Sequence, residues 1–356
     1  MTTIDVKTEG RSALEVLAGS RVLVEPALRA AVDTLPRDMR RITGYHFGWC
    51  NEDGEPDSAP GVEATAVKAT SGKAIRPTLV LLSAQAVGGS AATTVPAAVA
   101  VELVHNFSLL HDDVMDGDLT RRHRSTAWSV FGANPAILAG DAVLALALDV
   151  LAASGHPAAM DGIRQLSAAV QDLVEGQCAD LDLERRAGVE QAECLQMVER
   201  KTGALMGCAC AVGACFGAGS TAQVEQLRRF GQHLGLAFQH VDDLLGIWGD
   251  PAVTGKPVYS DLRSRKKSLP VVAALTSGTP AGQQLVELYQ QDQPLSRVDL
   301  VRAADLIDLA GGRAWSQLQV DDLLAQAMSD LQSAGLTGRA AHELGALARL
   351  ATHRDH

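Results

Sequence analysis

The stretch Val101–Asp118, VELVHNFSLLHDDVMDGD, ends an apolar run with four aspartates inside eight residues. Apolar residues recur at helical spacing up to Leu110, which predicts one buried helix face. Asp112 and Asp116 are four residues apart and share a face, with Asp113 beside them. A charge run usually marks a solvated helix end, but aspartates at a helix C-terminus oppose the macrodipole. A cationic partner would offset this cost, and Mg²⁺, which binds carboxylates and substrate phosphates, fits the pattern.

Helical spacing of this kind continues along the chain, whereas the period-2 alternation of β-strands is almost absent. The sequence therefore predicts an all-α fold, a large helical bundle in a single domain spanning residues 1–356. The predicted helices are 12–35, 76–88, 94–116, 135–153, 158–185, 190–216, 221–247, 268–277, 297–309, 314–334 and 338–352. Two polar interruptions contain Gly and Pro, and they predict a surface insertion near 45–70 and a lid-like loop near 249–267.

The composition of the chain restricts which functions it can have. Its 356 residues are 47% hydrophobic, enough for a large core, and a formal net charge of −11 argues against nucleic-acid binding. The six cysteines show no CxxC spacing, so neither a zinc site nor a disulfide framework is expected. The N-terminus MTTIDVKTEG lacks a basic segment followed by an apolar one, and no later stretch reaches about 18 uninterrupted apolar residues. We therefore predict a cytoplasmic protein without stable membrane insertion.

A second acidic pair ends another apolar segment, FGQHLGLAFQHVDDLLGIWGD, residues 230–250. Its Asp242 and Asp243 resemble the first motif in position, and Gln239 shares a helix face with Asp243. Helical bundles build metal sites from side chains on facing helices. Basic residues suited to phosphates occur in the segments GKAIRP, RRHR and ERKTG. Together these residues predict a site in which Mg²⁺ and fixed cations bind diphosphate groups.

Five segments, in order, resemble motifs of the trans-isoprenyl diphosphate synthases, the polyprenyl synthetase family. They are GKAIRP, LLHDDVMDGDLTRR, KTGAL, FQHVDDLLGIWGDPAVTGKP and SDLRSRKKSLP, and the resemblance runs from about Lys73 to Pro270. The resemblance implies an all-α fold with a deep central cavity, usually in a homodimer. It also implies an enzyme that extends an allylic diphosphate by isopentenyl diphosphate.

The resemblance implies a role for each matching residue. Mg²⁺, three ions per active site, would be held by Asp112, Asp113 and Asp116 on one side of the allylic diphosphate and by Asp242, Asp243 and Asp261 on the other. The allylic diphosphate would contact Arg121, Lys201, Thr202, Gln239, Lys256 and Lys266, and isopentenyl diphosphate would contact Lys73, Arg76, His105 and Arg122. The first five of these aspartates, with Arg121 and Lys201, form the predicted catalytic set. On spacing alone, His105 is better interpreted as a structural histidine.

Product length is predicted from the residues one turn before Asp112. Phe107 and Ser108 lie there, and Phe107 on spacing alone is ordinary core packing. In the family, an aromatic at the Phe107 position tends to form the floor of the cavity. We therefore favour geranylgeranyl diphosphate as the product, with farnesyl diphosphate as the alternative.

Two positions depart from the family pattern. Gly246 stands where the second motif generally has its third aspartate, and Arg265 stands where a glycine usually precedes the loop lysine. Loss of a carboxylate can weaken a metal site, so a non-catalytic partner subunit of a heteromeric synthase is one alternative. A class I terpene cyclase shares the metal chemistry but needs no second diphosphate site. An unrelated helical Mg²⁺-dependent phosphohydrolase would leave GKAIRP unexplained.

Overall fold

A computed structural model describes residues 10–56, 74–186, 188–251, 258–291 and 293–352. The described helices are α1 (Ala13–Asp33), α2 (Arg37–His46), α3 (Ile75–Ala86), α4 (Ala91–Met115), α5 (Ala127–Phe131), α6 (Ala133–Ala153), α7 (Ala159–Arg185), α8 (Gln191–Val198), α9 (Ala204–Phe216), α10 (Thr221–Trp248), α11 (Ser260–Arg263), α12 (Leu269–Leu275), α13 (Pro280–Tyr289), α14 (Arg297–Leu309), α15 (Gly312–Ser333) and α16 (Arg339–Thr352). A π-helical turn, Glu199–Gly203, joins α8 to α9. The predicted all-α fold is confirmed.

The chain divides into two compact units. Unit 1 comprises Met1–Ser167, Ala209–Leu227 and Ala334–Ala346, and unit 2 comprises Ala168–Cys208, Arg228–Ser333 and Leu347–His356. The first aspartate motif belongs to unit 1 and the second to unit 2. The single domain expected from the sequence stays a prediction.

Helix α4 is the centre of the unit 1 core. It packs against α3 and α6, and its residues Ala97–Val101 are all buried. The packing of α4 against α6 requires a residue without a side chain at Gly140 of α6, where the ring of His111 lies. A Cβ at Gly140 would lie 2.3 Å from the His111 ring, so only glycine fits there. This packing holds the end of α4, which carries the first motif.

The unit 2 core lies directly behind the second motif. Ile247 of α10 and Leu262 of α11 are fully buried in one cluster with residues of α12, α13 and α14. A neighbouring cluster joins Cys194 and Val198 to Leu269 at the start of α12. Burial of such apolar side chains contributes about 1.5–3 kcal/mol each. The buried apolar side chains therefore hold in place the C-terminal end of α10, which carries the second motif, and the start of α12.

A short β-hairpin follows the first motif and was not expected from the sequence. Strands β1 (Thr120–Arg121) and β2 (Arg124–Ser125) are antiparallel. The two turn residues Arg122 and His123 have φ of 51° and 64°, the left-handed conformations of a type I′ turn. Non-glycine residues in this conformation cost about 1–2 kcal/mol each. The segment RRHR lacks the Asn-Gly signal for such a turn, and strain of this kind is typical of functional segments.

Four described helices, α2, α5, α11 and α13, were missed, although α13 begins with a recognisable signal. Helix α13 starts at Thr279, whose hydroxyl accepts a hydrogen bond from the Gly282 amide, and Pro280 occupies its first position. Helix α2 is mostly polar and precedes the predicted insertion near 45–70. Of that insertion, residues 57–70 lie outside the described residues, as do residues 252–257 of the predicted lid-like loop.

Two helices, α4 and α6, are long and apolar enough to cross a membrane by length and composition alone. The most apolar window of α4 is 67% buried inside the protein, which identifies α4 as a core helix. The corresponding window of α6 is only 39% buried. Large apolar side chains of α6, Ile137 and Leu138, are 37% and 56% exposed.

None of the six cysteines is in a disulfide bond in the structure. Cys194 and Cys210 are buried, and burial raises the pKa of each to about 12. These two thiols are therefore packing residues and not nucleophiles.

Candidate functional site

The first aspartate motif forms the C-terminal end of α4. Asp116 caps the helix, and Gly117 follows with φ of 66°. The Asp118 amide donates to the Asp113 carbonyl at 3.1 Å, which completes a Schellman-type ending. Asp113 is 1% exposed, whereas Asp112 is half-buried and Asp116 is exposed. The motif therefore presents two accessible carboxylates and one buried carboxylate.

The buried carboxylate positions an arginine of the hairpin. The Nε of Arg121 donates to Oδ1 of Asp113 at 2.7 Å, and Arg121 also lies 4.0 Å from Asp118. Burial raises the pKa of Asp113, and the charge of Arg121 opposes that rise. Oδ2 of Asp113 has no hydrogen-bond partner among the described residues. A buried acceptor without a partner costs about 1–3 kcal/mol, so this oxygen is suited to a further donor or cation.

A second basic group in unit 1 centres on Arg76 and His105. Nη1 of Arg76 is 3.2 Å from Nε2 of His105. Because a guanidinium group only donates, Nε2 accepts and the imidazole is neutral. Burial, with a further contribution from Arg76 and Arg122, holds the pKa of His105 well below its usual range. His105 therefore orients Arg76 and supplies no positive charge of its own.

Glu102 belongs to the same group and was not recognised in the sequence. Burial raises the pKa of its carboxyl, and the nearby charges of Arg76 and Arg122 oppose the rise. The Asn106 amide donates to its Oε1 at 3.1 Å. Glu102 lies three and four residues before His105 and Asn106, so helical spacing alone could have identified the cluster.

In unit 2, Asp243 is held by hydrogen bonds to both of its carboxylate oxygens. Gln239 donates to Oδ1 at 2.8 Å and the Leu269 amide donates to Oδ2 at 2.9 Å. Thr202 in turn donates to the Gln239 side-chain oxygen at 2.9 Å, which fixes the orientation of the amide. Burial raises the pKa of Asp243 to about 6, and the charge of Lys266 opposes this. Its neighbour Asp242 is exposed.

Lys266 is the cation that balances this group. Burial alone would lower its pKa, but the attraction of Asp243, Asp261, Asp180 and Asp242 outweighs burial and raises the pKa above the usual range. The lysine therefore stays charged at any physiological pH. Its backbone amide donates to the Asp261 carbonyl at 2.8 Å, which ties its position to α11.

The π-helical turn carries Lys201 and Thr202, and π-bulges frequently occur at functional sites. A Cβ at Gly176 of α7 would lie 2.4 Å from the Lys201 backbone nitrogen, so the two segments touch through their backbones. One turn after Gly176, Asp180 accepts from Lys201 Nζ at 2.6 Å. The contact depends on glycine because any side chain at 176 would push Lys201 away.

Two polar residues of α7 were missed by the sequence analysis. Asp180 is 8% exposed and Gln177 is 5% exposed. Neither the oxygen nor the nitrogen of the Gln177 amide has a hydrogen-bond partner among the described residues. On a helix, isolated polar residues look like a solvated face, and only the tertiary structure identifies them as buried.

Of the other predicted residues, Phe107 is 5% and Ser108 is 7% exposed. The Phe107 ring packs edge-on against His111 with centroids 4.8 Å apart, and the Ser108 hydroxyl donates to the His105 carbonyl at 2.8 Å. Lys73 and Lys256 lie outside the described residues.

The donor set of both motifs fits Mg²⁺. Within the described ranges, no three His, Cys, Asp or Glu side chains converge on one point. Mg²⁺ typically binds one or two carboxylates and takes its remaining ligands from water and substrate phosphates. In unit 1, accessible Asp112 and Asp116 with the unsatisfied Oδ2 of Asp113 match that requirement, and in unit 2 accessible Asp242 does so separately.

Comparison with known proteins decides the family. Residues 63–305 match the family model described as polyprenyl synthetase, which is more than half of the chain. The chain belongs to the polyprenyl synthetase family. The resemblance found in the sequence is thereby confirmed, and prenyl diphosphate synthases are enzymes that use Mg²⁺.

Relatives within the polyprenyl synthetase family include proteins named for different products. A (2E,6E)-farnesyl diphosphate synthase of Mycobacterium tuberculosis is 44% identical over 348 residues, which cover 97% of this chain and 94% of that protein. A geranylgeranyl diphosphate synthase of the same organism is 44% identical over 320 residues, which cover 90% and 89%. A polyprenyl synthetase structure from Streptomyces coelicolor A3(2) has a TM-score of 0.90 at 44% identity, covering 96% of this chain and 100% of that one.

One departure from the polyprenyl synthetase pattern places a non-glycine residue in a left-handed backbone conformation. Arg265 occupies the position of the usual glycine and has φ of 54°, in the left-handed region where glycine is favoured. Its guanidinium group donates to the Gln293 carbonyl. The family glycine thus meets a backbone requirement, and this chain meets it with an anchored arginine.

Proposed function

We propose that this protein is a Mg²⁺-dependent trans-prenyltransferase that extends an allylic diphosphate with isopentenyl diphosphate. The observation that supports the proposal is the presence of two separately anchored arginines, each suited to bind a diphosphate, in the unit that carries the first aspartate motif. Arg121 is anchored on Asp113, and Arg76 is oriented by His105. A reaction that joins two diphosphate esters requires two such groups, one for each ester.

The reaction forms a carbon–carbon bond at the expense of a carbon–oxygen bond. The C1–O bond of the allylic diphosphate breaks, and the electron pair leaves with the diphosphate. The double bond of isopentenyl diphosphate attacks C1, and proton loss to the released diphosphate completes the new prenyl unit. We assign no protein base.

Protein charges are positioned to stabilise the leaving diphosphate. We assign Arg121, Lys201, Lys266, Thr202 and Gln239 to the allylic diphosphate, with Lys256 from the loop. Mg²⁺, when bound, would neutralise charge on the leaving diphosphate. Its ligands would be Asp112, Asp116 and Oδ2 of Asp113 on one side, and Asp242 with Asp261 on the other, while Oδ1 of Asp113 orients Arg121. We do not assign Asp243 as a ligand, because both of its carboxylate oxygens already accept hydrogen bonds. We propose three ions per active site.

The isopentenyl diphosphate site is assigned to Arg76, Arg122, His105 and Lys73. Arg122 is held by the strained hairpin turn, and burial lowers its pKa from the usual value, so its positive charge is poorly solvated. A poorly solvated guanidinium group gains more from a phosphate than one in water. This site favours the synthase over a terpene cyclase, because a cyclase binds one diphosphate only.

The apolar face of α4 has a chemical purpose in this proposal. An allylic cation is quenched by water, so the prenyl chain must react in a dry environment. Apart from Thr94, Asn106 and Ser108, the buried α4 residues that precede the motif have apolar side chains, Leu103 and Leu110 among them. They provide such an environment.

Product analysis tests the proposal. Purified protein is incubated with Mg²⁺, labelled isopentenyl diphosphate and dimethylallyl, geranyl or farnesyl diphosphate, and the products are separated by length. We expect geranylgeranyl diphosphate as the main product, with farnesyl diphosphate as the alternative. If no primer is extended, the proposed activity is wrong and the alternative of a non-catalytic partner subunit is favoured. A hydrocarbon product without incorporated label would instead establish a terpene cyclase.

Phe107→Ala is expected to lengthen the product by at least one five-carbon unit, because the ring at the end of the prenyl chain is removed. The cavity created would lower the free energy of unfolding by about 3 kcal/mol. Phe216→Ala is the matched control, since Phe216 is 3% exposed and packs on His156 away from the motif. It should lower stability similarly with an unchanged product. If the parent protein, Phe107→Ala and Phe216→Ala all give products of the same length, Phe107 does not form the floor of the prenyl-chain cavity.

We propose further that the enzyme is a soluble cytoplasmic homodimer in which a second copy covers α6. Ile137 and Leu138 leave an apolar strip on this helix, and large apolar strips usually mark interaction surfaces. Light scattering of the purified protein checks this. A monomer at micromolar concentration would contradict it.

A further inference from the structure

The hairpin that carries Arg121 and Arg122 is too short to be stable by itself. Each of its strands has two residues, and an isolated two-stranded hairpin is marginally stable at best. Both turn residues, Arg122 and His123, also have positive φ. Contacts with other parts of unit 1 therefore hold the turn in its conformation.

The open end of the hairpin, opposite the turn, is closed by the residues that follow β2. The Thr126 amide donates to the Leu119 carbonyl at 3.0 Å. The Asp118 carbonyl accepts hydrogen bonds from the Thr126 hydroxyl and from the Trp128 indole, both at 2.7 Å. These contacts fix where the two strands begin and end, and they involve neither of the turn residues.

Strand β2 is attached to the end of α2 and to the loop that follows it. The Tyr45 hydroxyl donates to the Ser125 carbonyl at 3.0 Å. The Arg124 guanidinium lies 4.8 Å from the centroid of the Tyr45 ring, and its Nη2 donates to the Cys50 carbonyl at 3.0 Å. We call the side chains of Tyr45 and Arg124, with the Cys50 carbonyl, the brace. It holds both residues of β2 through contacts that span 74 and 80 residues of sequence.

The partners of β2 in the brace are themselves fixed. Tyr45 is 8% exposed, and its ring packs edge-on against Phe131 with the centroids 5.2 Å apart. The side-chain oxygen of Asn51 accepts from the Glu55 amide at 2.9 Å, and the Asn51 amide donates to the Glu55 carbonyl at 2.9 Å. These bonds close the loop directly after Cys50. The brace therefore connects β2 to an ordered support.

Another arginine of unit 1 stacks on the same loop without touching the hairpin. Arg29 of α1 lies 4.4 Å from the centroid of the Trp49 ring, and this contact holds the loop onto α1. Arg124 differs from Arg29 in its position. It pairs with Arg121 across the hairpin, and it directly follows the turn that contains Arg122. Loss of the Arg124 contact would therefore release a segment that carries two phosphate-binding side chains.

The end of α2 also lies near the arginines of the hairpin. Burial, with a further contribution from the charges of Arg122 and Arg121, lowers the pKa of His46 to about 3. The imidazole is therefore neutral at physiological pH. Helix α2 can pack beside two guanidinium groups because His46 adds no third positive charge.

We propose that Tyr45 and Arg124 are positioning residues for Arg122 and that they thereby set the affinity for isopentenyl diphosphate. The inference rests on the proposed prenyltransferase function, in which Arg122 binds that substrate. The brace holds the strand that follows the strained turn, and so it holds the turn in the conformation that presents Arg122. The allylic diphosphate depends less on the brace, because Arg121 has a separate anchor on Asp113.

Steady-state kinetics with each substrate varied in turn tests the brace. Tyr45→Phe keeps the ring and removes only the hydroxyl. Arg124→Lys keeps the charge but not the planar group that stacks on a ring. Each variant is expected to raise the KM for isopentenyl diphosphate about 5–10-fold, which corresponds to the loss of one hydrogen bond. The kcat and the KM for the allylic primer should stay within about twofold of the parent values.

A double-mutant cycle identifies the group on which the brace acts. The affinity for isopentenyl diphosphate is measured by calorimetry without primer, so that no reaction occurs. In an Arg122→Ala background, Tyr45→Phe should change this affinity by less than about twofold, because no guanidinium group is left to position. Arg29→Met is the matched control. It removes the stacking contact of Arg29 on Trp49 and should leave both KM values unchanged.

Hydrogen exchange gives a readout that does not depend on catalysis. Local opening of a segment exposes its amides to exchange with solvent. Tyr45→Phe and Arg124→Lys should each speed the exchange of the amides of residues 120–126 at least fivefold. Arg29→Met should leave the exchange of the same amides at the parent rate.

The proposal is overturned if either Tyr45→Phe or Arg124→Lys keeps the parent's KM for isopentenyl diphosphate. It is also overturned if Tyr45→Phe weakens binding equally with and without Arg122, or if the hairpin amides exchange at the parent rate in both variants. If Arg124→Lys does not fold, Tyr45→Phe decides the question, because it removes a single oxygen atom. A parent protein that extends no primer would contradict the proposed function alone, since faster exchange of the hairpin amides in the variants would still establish the brace.

Discussion

Replacing Asp112 by alanine is expected to lower the rate of prenyl extension about 10³-fold while leaving the fold intact. Asp112 is a half-buried carboxylate of the last turn of α4, four residues from Asp116. Metal-assisted charge stabilisation contributes several kcal/mol to a transition state, and 1.36 kcal/mol corresponds to a tenfold change in rate. The rate is measured with labelled isopentenyl diphosphate at saturating primer.

Stability should respond differently from activity. An aspartate at a helix C-terminus opposes the macrodipole, an effect of about 0.3–1 kcal/mol. The Asp112→Ala variant should therefore lose no more than about 1 kcal/mol in the free energy of unfolding. The control is Asp118→Ala, two residues past the motif. The Asp118 side chain is 48% exposed, and its closest approach to Arg121 is 4.0 Å, so this ion pair is weak. This control should stay within a few-fold of the parent rate.

The two outcomes distinguish a ligand from a packing residue. A packing residue would lose stability along with activity, and a surface residue would lose neither. Full activity of Asp112→Ala, or equal losses for Asp112→Ala and Asp118→Ala, would contradict the assignment of the first motif to metal binding.

The sequence was informative where a local pattern determines the structure. Helix α4 was predicted at 94–116 and extends over Ala91–Met115. The prediction succeeded because apolar residues at helical spacing over about seven turns favour a helix over any other structure. Helix α14 was predicted at 297–309 and has those bounds, since Ser296 and Asp299 form a capping box at its start. Both aspartate motifs were found because a cluster of like charges is conspicuous.

The sequence was uninformative where the structure depends on contacts between distant residues. The hairpin turn at Arg122 and His123 opposes local preference, so no propensity argument predicts it. Asp180 becomes part of the site only because Gly176 brings Lys201 onto α7. Gly246 was recognised as a departure, but its neighbour Asp261 lies fifteen residues later, in a volume that only the folded chain defines.

Replacing Lys266 by methionine is expected to reduce both stability and activity. Methionine has a similar length and no charge, so the change removes the cation from among Asp243, Asp261 and Asp180. Removal of one partner of a buried ion pair costs about 3–5 kcal/mol, and the partial exposure of Lys266 lowers this to about 2–3 kcal/mol. Loss of a preorganised positive charge at the leaving group should lower kcat about 100-fold or more.

Lys267 provides a control at the adjacent position. Its ammonium group donates to backbone carbonyls at the C-terminus of α7, including that of Leu183 at 2.7 Å and that of Arg186. Lys267→Met should therefore lose a helix cap, about 1 kcal/mol, and retain kcat to within about threefold. Chemical denaturation and steady-state kinetics measure both variants.

The comparison separates the two roles that adjacent lysines can have. Both side chains are cations on the same loop, and they differ in their partners: carboxylates for Lys266 and carbonyls for Lys267. Carbonyls are satisfied by a neutral donor or by water, whereas a group of carboxylates needs positive charge. If Lys266→Met lost stability but kept kcat, the lysine would balance the aspartates without touching diphosphate. If both variants lost activity equally, the loop conformation and not the charge of Lys266 would limit the reaction.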